Sequence, residues 1–218
     1  MSRTLMLATA LALVAPAALS AQVCQGFASF ASGPVQLGAA LEFSDDVTIY
    51  GAGIGFGAVN GAFVRGEVGR AEDDESEGSA TLFGINGGWQ VSMGLAPSAI
   101  QICPVAGFTY VDGEGEATAS EILLGLSLGA MMSSSQALGV APFGTISFRR
   151  ASTELETALG TLESDDNYGA IDLGVGFIAN EWITIRPAVT IPFAEPDDFE
   201  VDVSYGVRFA FNFGGGPR

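Results

Sequence analysis

Nine charged residues of this 218-residue chain stand where an alternating pattern would point them to one side: Glu42, Arg65, Glu67, Glu121, Arg149, Asp172, Arg186, Asp202 and Arg208. Guanidinium against carboxylate is the chemistry of charge-assisted, often bidentate hydrogen bonds, which tie neighbouring backbone segments together or ring a narrow passage. The sequence leaves both readings open, a plug that holds the structure together and a selectivity constriction. Catalysis has nothing specific behind it, and no catalytic residue is assigned. The chain contains no His, which removes Ser-His-Asp, Cys-His and imidazole-ligated metal sites together. All eight cations are Arg, against 25 acidic residues, for a net charge of −17. A chain this acidic repels phosphate, so nucleic acid is excluded as a partner.

Two further patterns resemble sites. Gly51-Ala-Gly53-Ile-Gly55-Phe-Gly57 has the glycine density of a phosphate-cradling loop, but its glycines recur at every second residue and no helix signal follows. It reads as one face of a strand, and no cofactor is implied. Carboxylates cluster at Asp73-Asp74-Glu75-Ser76-Glu77 and Asp112-Gly113-Glu114-Gly115-Glu116. Hard divalent cations favour oxygen ligands, so loose binding of Ca²⁺ or Mg²⁺ fits these loops. Neither has the spacing of a calcium-binding loop, and solvated charge is the favoured reading, with no metal site assigned.

Residues 1–21 open with Arg3, continue as the apolar run Leu5 to Leu19 and end on Ser20-Ala21. That is the order of a secretory signal peptide, with cleavage expected after Ala21; a membrane anchor is the competing reading, for which the run is short. Val23 before Cys24 does not support a lipid-modified cysteine. The remaining divisions expected are a periplasmic N-terminal segment at 22–34, a barrel domain at 35–213 and a short tail at 214–218.

What positions the charged residues is a period of two. In 201–213, Val201, Val203, Tyr205, Val207, Phe209, Phe211 and Phe213 fall on one face and Asp202, Ser204, Gly206, Arg208, Ala210 and Asn212 on the other. Successive side chains of a strand point to opposite sides, so this is a β-strand with one apolar face. The same reading predicts ten strands, at 35–43, 47–56, 62–70, 80–91, 100–111, 121–132, 140–149, 168–179, 182–193 and 201–213. An eight-stranded alternative drops two of them. The odd-numbered connections between these strands hold nineteen of the 25 acids and the even-numbered ones hold one. In an up-and-down meander the odd connections share one end and the even ones the other. A meander this long closes into a barrel to remove its edges.

Two barrels fit. A soluble, lipocalin-like carrier would turn the apolar face inward around a small apolar ligand; a transmembrane barrel would turn it outward into lipid. The polar face carries thirteen of the strand glycines against four on the apolar face. A water-facing exterior would instead be rich in Lys and Glu. Aromatic residues of the apolar face gather near both strand ends, Phe43, Phe83, Tyr110, Phe148 and Phe193 towards the acidic loops and Phe56, Trp89, Phe177, Phe211 and Phe213 towards the short turns. Two such girdles suit the two headgroup layers of a membrane. The favoured class is all-β, a closed antiparallel up-and-down transmembrane β-barrel of about ten strands.

With its leader, its alternating strands, its short turns opposite long loops and its aromatic last strand Val207-Arg-Phe-Ala-Phe-Asn-Phe213, the chain resembles the small outer-membrane β-barrel proteins of Gram-negative type, the broad OmpA/OmpX-like group. It departs from them where Gly-Gly-Gly-Pro-Arg follows Phe213. The resemblance implies an outer-membrane location, lipid and the barrel-assembly machinery as partners, and a non-enzymatic role as a structural barrel or a narrow, cation-leaning passive pore. An adhesin acting through the loops leaves no readable mark. Export permits oxidation, and Cys24 and Cys103 both fall near the short-turn end, so a disulfide between them is expected to fasten the N-terminal segment beneath the lumen.

Overall fold

The computed structural model of the protein describes residues 23–28, 34–45, 47–58, 61–73, 78–93, 100–113, 117–133, 138–157, 160–180, 182–194 and 202–213. The expected leader 1–21, the expected tail 214–218 and the cluster residues 74–77 and 114–116 lie outside them. Ten strands run up and down: β1 (Val35–Phe43), β2 (Val47–Gly57), β3 (Ala62–Asp73), β4 (Ser79–Trp89), β5 (Ile100–Gly113), β6 (Ala117–Ala130), β7 (Leu138–Thr157), β8 (Gly160–Ala179), β9 (Ile183–Ala194) and β10 (Ser204–Phe213). Two short pieces, Val91–Met93 and Met132–Ser133, add to β5 and β7 at the turn end. Each strand is antiparallel to its neighbour in the chain. β10 returns to β1 in continuous register from Val35↔Phe213 to Phe43↔Tyr205. That last pairing closes the barrel at ten strands rather than eight.

Alternation sorts the two faces. In β6 the outward Ile122, Leu124, Leu126 and Leu128 are 43–57 % exposed, whereas the inward Ser127 is fully buried. All ten girdle aromatics are exposed on the outer face. A soluble carrier would hide these side chains; a continuous apolar exterior is the surface of a transmembrane barrel.

Strand limits agree with the period-two reading within a few residues except at one place. Of the connection expected at 150–167, residues 150–157 and 160–167 are instead the outer halves of β7 and β8, which pair without interruption from Leu138↔Ala179 to Thr157↔Gly160. Beyond the apolar belt both faces meet water, so the apolar alternation vanishes. The backbone ladder and the β-branched Thr153, Thr157 and Thr161 continue to favour extended structure. For the same reason β3 continues to Asp73 and β5 to Gly113, while β6 begins at Ala117.

The buried apolar residues gather at the turn end. One cluster joins Cys24 to Phe63, Cys103 and Val105, with Leu123 against it; another joins Val23 and Ala28 to Ala141 and Ile178, with Met131 against it. Both are contacts between the barrel wall and the segment Val23–Ala28, whose first three residues form a 3₁₀ turn. The N-terminal segment therefore enters the lumen rather than passing beneath it. Small inward residues make this entry feasible. A Cβ on Gly129 would lie 2.8 Å from Cys24 Cα, and one on Gly176 would collide with the carbonyl oxygen of Gly26.

Candidate luminal site

The floor of the site is the N-terminal segment, held covalently and by polar contacts. Cys24 and Cys103 form the expected disulfide, with a Cα–Cα distance of 6.1 Å, and join positions 79 residues apart. Ser127 Oγ donates to the Cys24 carbonyl at 2.6 Å and Ser127 and Thr145 hydroxyls lie 2.8 Å apart. The Ala28 amide donates to Thr184 Oγ1 at 3.1 Å, and Arg186 Nε to the Gln25 carbonyl at 2.7 Å. These bonds satisfy backbone groups that the lumen would otherwise leave orphaned.

Directly above lies a layer of three guanidinium groups and one carboxylate. Glu67 Oε1 accepts from Arg208 Nη1 at 2.7 Å and lies 3.7 Å from Arg65 Nη1. The register that aligns Glu67 with Gly53 and Ala40 with Arg208 leaves only small side chains between these partners from β3 and β10. Arg65 also donates to Gln36, whose Nε2 donates to Asn212 Oδ1 at 2.8 Å. Phe27 of the floor stands between two cations, its ring centroid 4.1 Å from the Arg65 guanidinium and 5.0 Å from that of Arg186. Arg186 also lies 4.1 Å over Phe143, and it forms no ion pair among the described residues. Weak hydration suits a guanidinium to such aromatic stacking.

A second layer surrounds Arg149. Its Nη1 is 3.5 Å from Glu121 Oε1, its Nη2 is 3.2 Å from Asp172 Oδ1, and its Nε donates to Ser147 Oγ at 3.3 Å. Tyr168 donates to Glu121, and Thr190 Oγ1 donates to Asp172 Oδ1 at 2.6 Å. Beside this group Glu42 accepts at 2.7 Å from Ser204 Oγ, whose residue is paired with Thr190, and Asp202, two residues before Ser204, lines the wall without an ion pair among the described residues. All nine sequence-selected charged residues thus line one cavity of about 960 Å³ that opens towards the acidic end. They do not form one network: Arg65, Glu67 and Arg208 make one group, Arg149, Glu121 and Asp172 another, while Arg186, Glu42 and Asp202 stand outside both. Sequence reasoning missed Gln36, Asn212, Phe27, Phe143, Tyr168 and Thr190. Phe143 and Tyr168 were detectable as large aromatics on the inward parity of strands that otherwise turn their aromatics outward.

Outside the membrane-spanning part, Arg150 Nη2 meets Asp165 Oδ2 at 3.1 Å across the β7–β8 hairpin. Hydrogen bonds from Ser152 and then Arg150 hold the Asp165 carboxyl below its ordinary range.

No protein-family model matches the chain, and no curated protein matches it. Solved structures that match are outer-membrane β-barrel proteins. The N-terminal barrel domain of Pseudomonas aeruginosa OprF matches at 10 % identity, covering 81 % of this chain and 96 % of that one with a TM-score of 0.35. The KdgM porin matches at 13 % identity over 82 % and 99 % of the two chains with a TM-score of 0.42. The attachment invasion locus protein Ail of Yersinia pestis matches at 11 % identity over 81 % and 93 % with a TM-score of 0.29. The closed, ten-stranded, antiparallel transmembrane barrel is established by the chain's own strand order and outward apolar belt.

Proposed function

We propose that the protein is a non-enzymatic outer-membrane barrel, structural in role, whose lumen is closed at the turn end by its own N-terminal segment. The observation that carries this reading is the seating of Val23–Ala28 inside an apolar-skinned closed barrel, fixed by the Cys24–Cys103 bridge. On this reading, export through the expected leader leaves the short turns in the periplasm and the acidic ends outside. The test is fractionation with heat-modifiable gel migration, followed by planar-bilayer insertion of the oxidised protein. The expected result is outer-membrane partition and electrical silence. Recovery in the soluble fraction overturns the membrane assignment, and steady conductance from oxidised wild type overturns closure.

A second reading, a narrow cation-leaning passage, is favoured by the carboxylates Glu42, Glu121, Asp172 and Asp202 on the cavity wall above the floor, against Arg149 alone. Carboxylates there would concentrate cations at low ionic strength and lose that effect as salt screens them. Anion preference in a reversal-potential measurement across a salt gradient would remove it.

A further inference from the structure

The cavity is polarised along the barrel axis. Its floor presents Arg65, Arg186 and Arg208 against Glu67 alone. Above them the wall presents Glu42, Glu121, Asp172 and Asp202 against Arg149 alone among the described lining residues. Arg186 is the unsatisfied member. Its Nε is committed to the Gln25 carbonyl and its plane to Phe143, while its two terminal nitrogens have no hydrogen-bond partner among the described residues. A guanidinium held by its base and face, lining a cavity, is prepared for a carboxylate, which takes two parallel N–H donors.

A simple anion must pass these four carboxylates, with one cation among them, to reach it. A molecule that carries its own cation meets both ends of the field favourably. Glu42 is paired with Gly206, two residues along β10 from Arg208, so it stands about 7 Å of strand from the Arg208 level. The volume of about 960 Å³ lies within the range of small-molecule pockets.

We propose that the lumen is a binding site for a small zwitterion, an amino acid or short peptide, received carboxylate first, with Arg186 and its neighbours at the floor holding the carboxylate and Glu42 above them holding the ammonium. The proposal rests on the closed-lumen reading only in requiring the floor to stay seated.

Calorimetry on the full-length, disulfide-intact protein folded in detergent at low salt tests it, with 6-aminohexanoate as probe and hexanoate and hexylamine as single-charge controls. The zwitterion should bind at least about tenfold more tightly than either control, the scale of one charge-assisted hydrogen bond. Arg186→Gln should weaken it about tenfold or more, and Glu42→Gln, at the more exposed end, about threefold. The second variant keeps the test decisive should the first fail the heat-modifiability check for folding. Equal binding of hexanoate, equal binding of hexylamine, or no zwitterion binding by folded, oxidised protein each overturns the proposal. Bilayer recording on the same preparation separates this from failure of closure, which would show as conductance whatever the calorimetry returns.

Discussion

Arg186 and Arg208 face each other directly across the β9–β10 pair, both inside the barrel. Like charges at opposed positions repel, and Glu67, 2.7 Å from Arg208, is the carboxylate that offsets this.

Removing that carboxylate takes from Arg65 and Arg208 their only ion-pair partner among the described residues. Glu67→Gln should therefore destabilise the folded barrel by about 3 kcal/mol, the lower end of the cost of breaking a buried pair. Urea unfolding in detergent, read by tryptophan emission, checks this. Restoring most of the loss with Glu67→Gln/Arg208→Gln would identify repulsion, not lost packing, as the cause.

The disulfide spans 79 residues, and in the chain-entropy model a loop of that size stabilises by about 4 kcal/mol. Cys24→Ser/Cys103→Ser should lose stability of that order. It should also convert a silent barrel into a conducting one when the N-terminal segment leaves the lumen. Unchanged silence, with unchanged protease protection of the segment, would show that the bridge does not hold it.

Gly129→Val should have the same electrical effect without touching either sulfur, because even the first side-chain carbon at this position meets Cys24 Cα at 2.8 Å. Wild-type silence in this variant, with the bridge shown intact by mass spectrometry, would place the segment elsewhere.

Orientation of the two faces is tested by Leu124→Arg. This residue is 57 % exposed on the outer wall, and a cation there should cost about 2–4 kcal/mol if the position lies near the bilayer midplane. A change below about 0.5 kcal/mol would contradict lipid contact at this position.

Asp165 gives a pH dependence. Hydrogen bonds from Ser152 and Arg150 depress its folded pKa, so its contribution to the hairpin is present above the unfolded aspartate value of about 3.9 and lost as pH falls through the lower folded value. Carbon-detected NMR titration should find the Asp165 carboxyl below the free aspartate value in wild type and raised in Arg150→Gln.

The barrel was legible because lipid on one side and a crowded lumen on the other impose a strict two-residue period. Leu124 and Gly125 are enough to illustrate it. Legibility ended where that contrast ends. Above the rim Glu154 and Asp165 are both solvated, no face is preferred, and strand and loop composition look alike. The seating of Phe27 was hidden for a different reason. Its partners Arg65 and Arg186 lie on β3 and β9, and only barrel closure brings them to one ring. Parity put the nine charges inside, but the choice of Glu67 for Arg208, 141 residues away, depends on register and barrel diameter, which a local pattern does not contain.

The Cys24–Cys103 bridge also dates an event in biogenesis. Both residues have 0 % exposure in the finished molecule, and an external oxidant needs an accessible thiolate. Oxidation is therefore expected before the segment is sealed in, while β5 is still approachable. Under the outer-membrane reading proposed above, barrels completed while oxidation is delayed should accumulate with an empty base.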